Sequence, residues 1–320
     1  MNCRWERKYM INGVINIYKE KGYTSHDVVA KLRGILHQKK IGHTGTLDPD
    51  AQGVLPVCLG KATRMCDMLT DWNKTYEAVM LLGQTTDTQD TSGNVIRMCE
   101  PETDARKIMD AIDSFVGDYE QIPPMYSALK HNGRKLYELA RQGIEVERKP
   151  RHVRIESIRV NELNVQEHTV RMTVECSKGT YIRTLCNDIG DRLGCGACMK
   201  ELTRTSVGCF NTDNALTLGS VQAKVLLGDI ADNIIPIDAI FNKYRAIHGC
   251  ERADAALHNG NMIPVTEEYI AVEGEAAAHD DESFRMYDSC GIFVGIYRHA
   301  EGCLVPVKMF YDAGEAAGDN

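Results

Sequence analysis

The chain contains no apolar run of about 18 residues, so nothing in it reads as a membrane span. Its charged start, Met1-Asn2-Cys3-Arg4-Trp5-Glu6-Arg7-Lys8, leads into no long apolar core and does not read as a signal peptide. There is no Gly-x-Gly-x-x-Gly fingerprint and no P-loop, so dinucleotide and P-loop nucleotide chemistry lack sequence support. The sole Cys-x-x-Cys, Cys195-Gly196-Ala197-Cys198, has no second ligand pair at zinc-site spacing and reads as two reduced thiols. Regular cysteine spacing is missing as well. Twelve cysteines scattered over 320 residues make no disulfide framework and fit a reducing, cytoplasmic compartment. No metal and no cofactor is expected.

What is present is an ordinary globular composition, 43% hydrophobic and 26% charged, in a chain long enough for two domains. The net charge of −8 argues at first against a polyanionic partner, but it is unevenly spread. Residues 1–245 carry 33 Lys and Arg against 31 Asp and Glu, a net of +2; residues 246–320 carry 4 against 14, a net of −10. Within the first part, residues 130–154 hold eight basic side chains (Lys130, Arg134, Lys135, Arg141, Arg148, Lys149, Arg151, Arg154) and three acidic ones. Such a stripe suits nucleic-acid phosphates, and equally a solvated, salt-bridged surface; charge alone does not choose.

The stretch with the most chemical content is Gly42-His43-Thr44-Gly45-Thr46-Leu47-Asp48-Pro49-Asp50-Ala51-Gln52-Gly53. Its glycines permit positive φ or the close approach of another backbone. Pro49 pushes Asp48 out of the helical region. Asp48 is thus expected on a shaped loop beside an imidazole, His43, and two hydroxyls, Thr44 and Thr46. A carboxylate held this way suits a nucleophile or general base. Asp-Pro in a Gly-rich loop is also an ordinary turn former.

Around this loop the sequence predicts alternating short elements. Residues 1–11 read as a loosely packed extension and Ile11–Ile17 as a strand. Thr24 or Ser25 caps a helix with Val28, Val29, Leu32, Ile35 and Leu36 on one face. Gly53–Gly60 is a buried apolar segment, Ala62–Leu69 a short helix, and Tyr76–Leu82 a strand. The polar stretch 84–94 reads as a loop. Thr103 caps a helix closed by Gly117. Two prolines exclude regular helix from Gln121–Lys130, and Leu136–Arg141 is a short helix. Thr169–Cys176 alternates, with Val170, Met172, Val174 and Cys176 on one side. A helix runs from about Thr184 to Leu193. If Tyr181 and Arg183 are both extended, they project together, and Arg183 can fork onto a buried Asp48. Otherwise Arg183 is a surface charge on a first helical turn. After residue 245 a helix and short strands, including Ser289–Tyr297 and Leu304–Phe310, suggest a small β-rich module. An acidic, Ala-rich stretch spans 267–283, and residues 312–320 read as a tail.

Several of these stretches carry a resemblance. Gly42-His43-Thr44-Gly45-Thr46-Leu47-Asp48-Pro49 resembles the signature loop of the TruB-type tRNA pseudouridine synthases. Lys74-Thr75-Tyr76, Gln121-Ile122-Pro123-Pro124-Met125-Tyr126-Ser127-Ala128-Leu129-Lys130 and Cys176-Ser177-Lys178-Gly179-Thr180-Tyr181-Ile182-Arg183-Thr184-Leu185 match the same family in the same order. The resemblance implies an α/β (α+β) fold: a mixed, largely antiparallel central sheet flanked by helices, with a small C-terminal β-barrel-like, PUA-like domain. It places the catalytic domain at 12–245, a tRNA-gripping insertion at about 121–154, and the PUA-like part at 246–311. It implies isomerisation of uridine to pseudouridine at position 55 in the T-arm of tRNA, on a base flipped out of the RNA. Asp48 is then the nucleophile and Arg183 its partner. Tyr76 stacks on the uracil and removes a proton, Tyr181 and Leu202 line the pocket, and His43 fills the gap in the RNA. Lys19 and Lys130 bind substrate.

Two departures from the family pattern stand out. Lys19 is followed by Glu20 where the family has proline, which loosens that turn. Thr203 replaces the first of two basic residues after Leu202, which weakens one phosphate contact. The leading expectation is a monomeric synthase acting on tRNA without guide RNA. A non-catalytic tRNA-binding or RNA-folding protein using the same cleft is the alternative. A guide-dependent synthase is disfavoured by the basic insertion, and a hydrolase by the lack of a placed general acid.

Overall fold

The structure, a computed structural model, describes residues 10–271 and 279–312. β1 (Gly13–Lys19) leads to α1 (Ser25–Ile35), then β2 (Ile41–His43), a loop and β3 (Gln52–Leu59). Thr24 starts α1 with a closed capping box: its hydroxyl accepts from the Asp27 N–H, and the Asp27 carboxylate accepts from the Thr24 N–H. A 3-10 turn and α2 (Cys66–Thr70) precede β4 (Lys74–Leu82), the hairpin β5 (Gln84–Thr86) and β6 (Val95–Met98), and α3 (Ala105–Asp113). β7 (Gly117–Gln121) opens an excursion holding β8 (Lys130–His131), β9 (Arg134–Lys135) and α4 (Leu136–Ala140). β10 (Arg151–Asn164), β11 (Thr169–Cys176), α5 (Ile182–Leu193), β12 (Ala197–Val207) and β13 (Phe210–Asn211) follow, then α6 (Leu218–Leu227) and α7 (Ile237–Ile240).

Nine of these strands form one sheet in the order β1-β3-β12-β4-β11-β10-β7, with β2 on β3 and β13 on β12. All pairs are antiparallel except β3–β12. β11 obeys its alternation: Val170, Met172, Val174 and Cys176 are fully buried against α3 and α5, while Arg171 and Glu175 face outward. Because β1 and β3 lie between two layers, both of their faces are apolar. Ile15, Ile17, Leu55 and Val57 pack on α1 and α6, and Val14, Val54 and Cys58 pack on α7. The result is the expected α/β fold, with helices flanking a largely antiparallel sheet.

The C-terminal part is a second, six-stranded sheet, curled as a half-barrel, with α8 (Glu251–His258) packed on it. Its strands are β14 (Arg245–Gly249), β15 (Ile263–Pro264), β16 (Ile270–Ala271), β17 (Ser283–Tyr287), β18 (Phe293–Ala300) and β19 (Cys303–Met309), in the order β15-β19-β18-β17-β14-β16. Ile296 and Phe310 from this part join the cluster of Val14, Val54 and Phe241, so the two sheets share apolar packing.

Several boundaries differ from the sequence reading. Asp104, not Thr103, caps α3, because its carboxylate takes the N–H groups of Arg106 and Lys107. That helix ends at Ser114, and Gly117 instead starts β7 at φ +107°. Arg151 and Arg154 belong to strand β10 rather than to an irregular excursion. The segment 84–94 is tied down: Asp90 Oδ1 accepts from Thr88, from the Ser92 N–H and from the Ser92 hydroxyl. Residues 288–291 form a turn, so β18 starts at Phe293 rather than Ser289. Ile11 is fastened to Gln38 by two hydrogen bonds and belongs to the body; the rest of the predicted extension except Met10, and the predicted tail beyond Asp312, lie outside the described residues.

One glycine decides how the loop meets the sheet. Gly53 sits at φ +110°, between Lys19 of β1 and Arg204 of β12, and an added Cβ would lie 2.1 Å from the Arg204 carbonyl oxygen. Gly117, at φ +107°, has open space around it. Gly53→Ala is expected to cost about 3 kcal/mol or more in urea denaturation, and Gly117→Ala about 1 kcal/mol. Equal losses would rule out close approach as the reason for Gly53.

Candidate active site

The loop between β2 and β3 is held from below by groups that the sheet supplies. Asp48 to Ala51 make a turn closed by the Ala51 N–H on the Asp48 carbonyl (3.1 Å), with Pro49 where its fixed φ is favourable. The Ser25 hydroxyl, in the first turn of α1, accepts from the Leu47 N–H (2.9 Å). Lys19 is fully buried at the end of β1. Its Nζ donates to the carbonyls of Tyr23 (2.6 Å) and Pro49 (3.2 Å), and burial pulls its pKa down to about 8, with Asp48 and Asp50 drawing it back up. Arg204, buried in β12, donates from Nε to the Val54 carbonyl (2.7 Å) and from Nη2 to the Gly45 carbonyl (3.4 Å). Two buried cations thus satisfy carbonyls that the irregular loop could not pair within itself.

Asp48 meets Arg183 at the loop's crest. Arg183 Nε lies 3.0 Å from Asp48 Oδ2. The arginine side chain is 6% exposed and the aspartate 42%, so the cation is buried behind a carboxylate that opens to solvent. Asp48 is therefore less buried than the sequence reading expected, and Arg183 does not fork onto it. The other guanidinium nitrogens are committed: Nη1 donates to the Thr88 carbonyl (2.9 Å) and lies 3.6 Å from Asp90, and Nη2 donates to the Tyr126 carbonyl (2.8 Å). Arg183 does lie in the first turn of α5, yet it is buried there because three segments converge on it.

The other expected residues fall around this pair. Tyr76 of β4 stands directly across from Arg204 in β12, packed with Leu47 and Leu202, and burial pushes its phenol pKa up while Arg204 opposes the shift. Tyr181 is extended just before α5 and half-buried, its pKa also raised by burial. Leu202 is buried in the same apolar wall as Tyr76. His43 is half-buried, edge-on to His26 with ring centroids 5.4 Å apart, and its Nδ1 accepts from the Gly45 N–H (3.3 Å). Lys130 is exposed on the β8–β9 hairpin. Lys19 lies beneath the loop and not at its surface. Sequence reasoning missed Thr88 and Asp90, named Ser25 only as a possible helix cap, and gave no internal place to Arg204. Only a charged residue inside an alternating strand hinted at the last.

Residues 33–182 match the model of the TruB family pseudouridylate synthase N-terminal domain, and residues 183–242 that of the tRNA pseudouridylate synthase B C-terminal domain. The chain is 48% identical over 308 residues to tRNA pseudouridine synthase B of Lachnoclostridium phytofermentans, covering 94% of this chain and 100% of that protein. This chain belongs to the TruB family of pseudouridylate synthases. Like them it is an isomerase. It is also 43% identical over 299 residues to tRNA pseudouridine synthase B of Clostridium acetobutylicum, covering 93% and 99% of the two chains. Among solved structures, a chain of a Cbf5-Nop10-Gar1 complex is similar, at 27% identity and a TM-score of 0.71 over 94% of this chain and 86% of that one. So is a chain of an H/ACA RNP bound to a substrate RNA containing 2'-deoxyuridine, at 27% identity and a TM-score of 0.68, covering 94% and 85%. The TruB N-terminal match spans the Asp48 loop, Tyr76 and Tyr181, and Arg183 begins the C-terminal match.

The electrostatics of the TruB-family cleft give a direct test. Burial lowers the pKa of His43, and His26 and Arg204 lower it further. His43 is therefore expected to titrate below the ordinary imidazole range and to be neutral at pH 7, with Nδ1 as acceptor and the proton on Nε2. The unfolded chain takes this proton first, so the stability that His43 contributes falls as pH drops through the ordinary imidazole range. Nitrogen-detected NMR titration measures it; a midpoint at or above the ordinary value would contradict this account.

Proposed function

We propose that this chain converts uridine to pseudouridine at position 55 in the T-arm of tRNA, without guide RNA or cofactor. The observation that carries the reading is the Asp48–Arg183 pair. A carboxylate open to the cleft is backed by a cation whose remaining donors are spoken for, which keeps the charge aimed outward at a reacting base. The reaction is an isomerisation. The C1′–N1 bond breaks, the uracil turns, and a C1′–C5 bond forms, with the C5 proton lost at the end.

The target base sits in folded RNA and has to be flipped into the cleft, at a cost of a few kcal/mol. Asp48 acts as the nucleophile, toward the uracil ring or the ribose C1′, and its bond to the substrate is broken again by the end of the reaction. Tyr76 stacks on the uracil as the neutral phenol that burial favours; to take the C5 proton it first releases its own proton to solvent, and Arg204 next to it eases the phenolate that results. Tyr181 and Leu202 close the pocket, and His43, neutral and planar, fills the place the base leaves. Lys130 and the basic excursion that follows it track the RNA backbone. Lys19 serves from beneath, holding the Pro49 carbonyl. Residues 12–245 make up the catalytic domain, with the excursion as its RNA grip, and residues 246–311 a PUA-like module outside both family matches. The enzyme works as a monomer in the cytoplasm, a location supported by the eleven free cysteines among the described residues.

Carbodiimide–primer-extension mapping of an unmodified tRNA transcript, with no added cofactor, tests the reading. Wild type is expected to give a single new stop in the T-arm, and Asp48→Asn a rate lower by at least about 10³-fold with tRNA binding retained. Binding without a stop from wild type would leave a non-catalytic tRNA-binding protein in its place.

A further inference from the structure

β7 ends at Gln121, where the basic excursion begins. The Gln121 side chain is buried, 1% exposed, and both ends of its amide are used on one distant residue. Nε2 donates to the Tyr181 carbonyl (3.0 Å), and Oε1 accepts from the Tyr181 N–H (2.7 Å). A side chain here does what a neighbouring strand would do for that backbone. Tyr181 is the extended residue from which the chain turns into α5, at φ −99° and ψ 106°. Two bonds on this residue fix where the turn starts, and Arg183 follows two residues on. The same excursion touches the same turn again, through the Tyr126 carbonyl on Arg183 Nη2 (2.8 Å). The root of the excursion and the turn carrying Tyr181 and Arg183 are therefore tied at two points.

We propose that Gln121 is a positioning residue for the isomerisation, coupling the seating of the excursion on RNA to the alignment of Tyr181 and Arg183 against Asp48. This rests on the roles proposed above for those three residues. Gln121 touches none of the reacting atoms; it acts through the Tyr181 backbone. The site demands one donor and one acceptor side by side. An ionised carboxylate of the same shape can take the N–H bond but repels the carbonyl. A protonated carboxylic acid can make both bonds. Gln121→Glu thus converts the positioning bond into one that depends on pH, in the direction of loss as pH rises; burial holds the acid form to higher pH than in water, against the opposing pull of Arg151 across the strand pair and of the Tyr119 phenol, which is itself bonded to Asp188.

Single-turnover rates and tRNA affinities are measured for wild type, Gln121→Glu, Gln121→Met and Asp48→Asn on one unmodified transcript, from about pH 5.5 to about pH 8.5. Gln121→Glu is expected within about threefold of wild type at the acid end and at least about tenfold slower at the alkaline end, with affinity unchanged. Gln121→Met, equal in length but without either hydrogen-bonding group, is expected to be about tenfold or more slower at every pH, again with unchanged affinity. A Gln121→Glu to wild-type ratio that is flat with pH overturns the proposal, as does a loss that falls on affinity and not on rate. If Gln121→Glu does not fold, a Gln121→Met rate equal to wild type overturns it. Absence of product from wild type would remove the enzyme reading itself, and an active Asp48→Asn would remove the assigned nucleophile; neither result resembles a failure of Gln121.

Discussion

The buried guanidinium of Arg183 is the constraint on which the cleft depends. A cation this far from water has to be matched by acceptors in fixed positions, or its burial is strongly unfavourable. Its acceptors come from separate stretches of chain: Asp48 in the β2–β3 loop, Thr88 and Asp90 in the β5–β6 segment, and Tyr126 in the excursion. Each stretch has anchors of its own, and all of them meet at the same planar group. The fork geometry of arginine suits this, because its donors lie on three separate nitrogens, whereas an ammonium gathers all of its donors on one.

A second layer of charge lies behind the first. Lys19 and Arg204 sit under the loop and bind its carbonyls, so the loop's polar backbone faces inward without a compensating strand. Burial opposes the charged form of Lys19. Between about pH 8 and the ordinary lysine range, the unfolded chain keeps a proton that the folded chain gives up, so this group's contribution to stability rises with pH there. In the turn that follows Lys19, Lys19 Nζ holds the Tyr23 carbonyl and the Gly22 N–H reaches the Pro49 carbonyl (2.8 Å).

Much of this architecture was legible from local pattern. The strand at 169–176 and the capped helix at 25–35 follow from periodicity and one capping residue, signals that span a single element. The shaped loop and Asp48 were visible in glycine and proline placement. Tyr76, Tyr181 and Leu202 were singled out by motif resemblance alone, since an aromatic or leucine near a strand end is ordinarily core. β10 escaped notice because only Val153 and Ile155 along it are fully buried, while Ile158, Val160 and Leu163 are partly buried among polar residues. The clamp on Arg183 was hidden for another reason. Two of its partners are backbone carbonyls, which every residue has, so no side-chain identity marks Thr88 or Tyr126 as the acceptor. Arg204 drew no reading of its own because a charged side chain is ordinarily expected at a surface.

The parallel join between β3 and β12 has a consequence for how the molecule comes together. Arg204 reaches the carbonyls of Val54 and Gly45 across 150 and 159 residues of chain. Contacts of that separation carry a large loop-closure entropy and form after the local hairpins and helices around them. The Asp48 loop can be drafted early by β1, α1 and β3, but it gains its second anchor only when β12 slots between β3 and β4. On the ribosome, a chain that has not yet released β12 holds every residue of the Asp48 loop and none of the Arg204 support beneath it. Competence is thereby tied to completion of the central sheet, and a half-made molecule presents its loop without the frame that aims it.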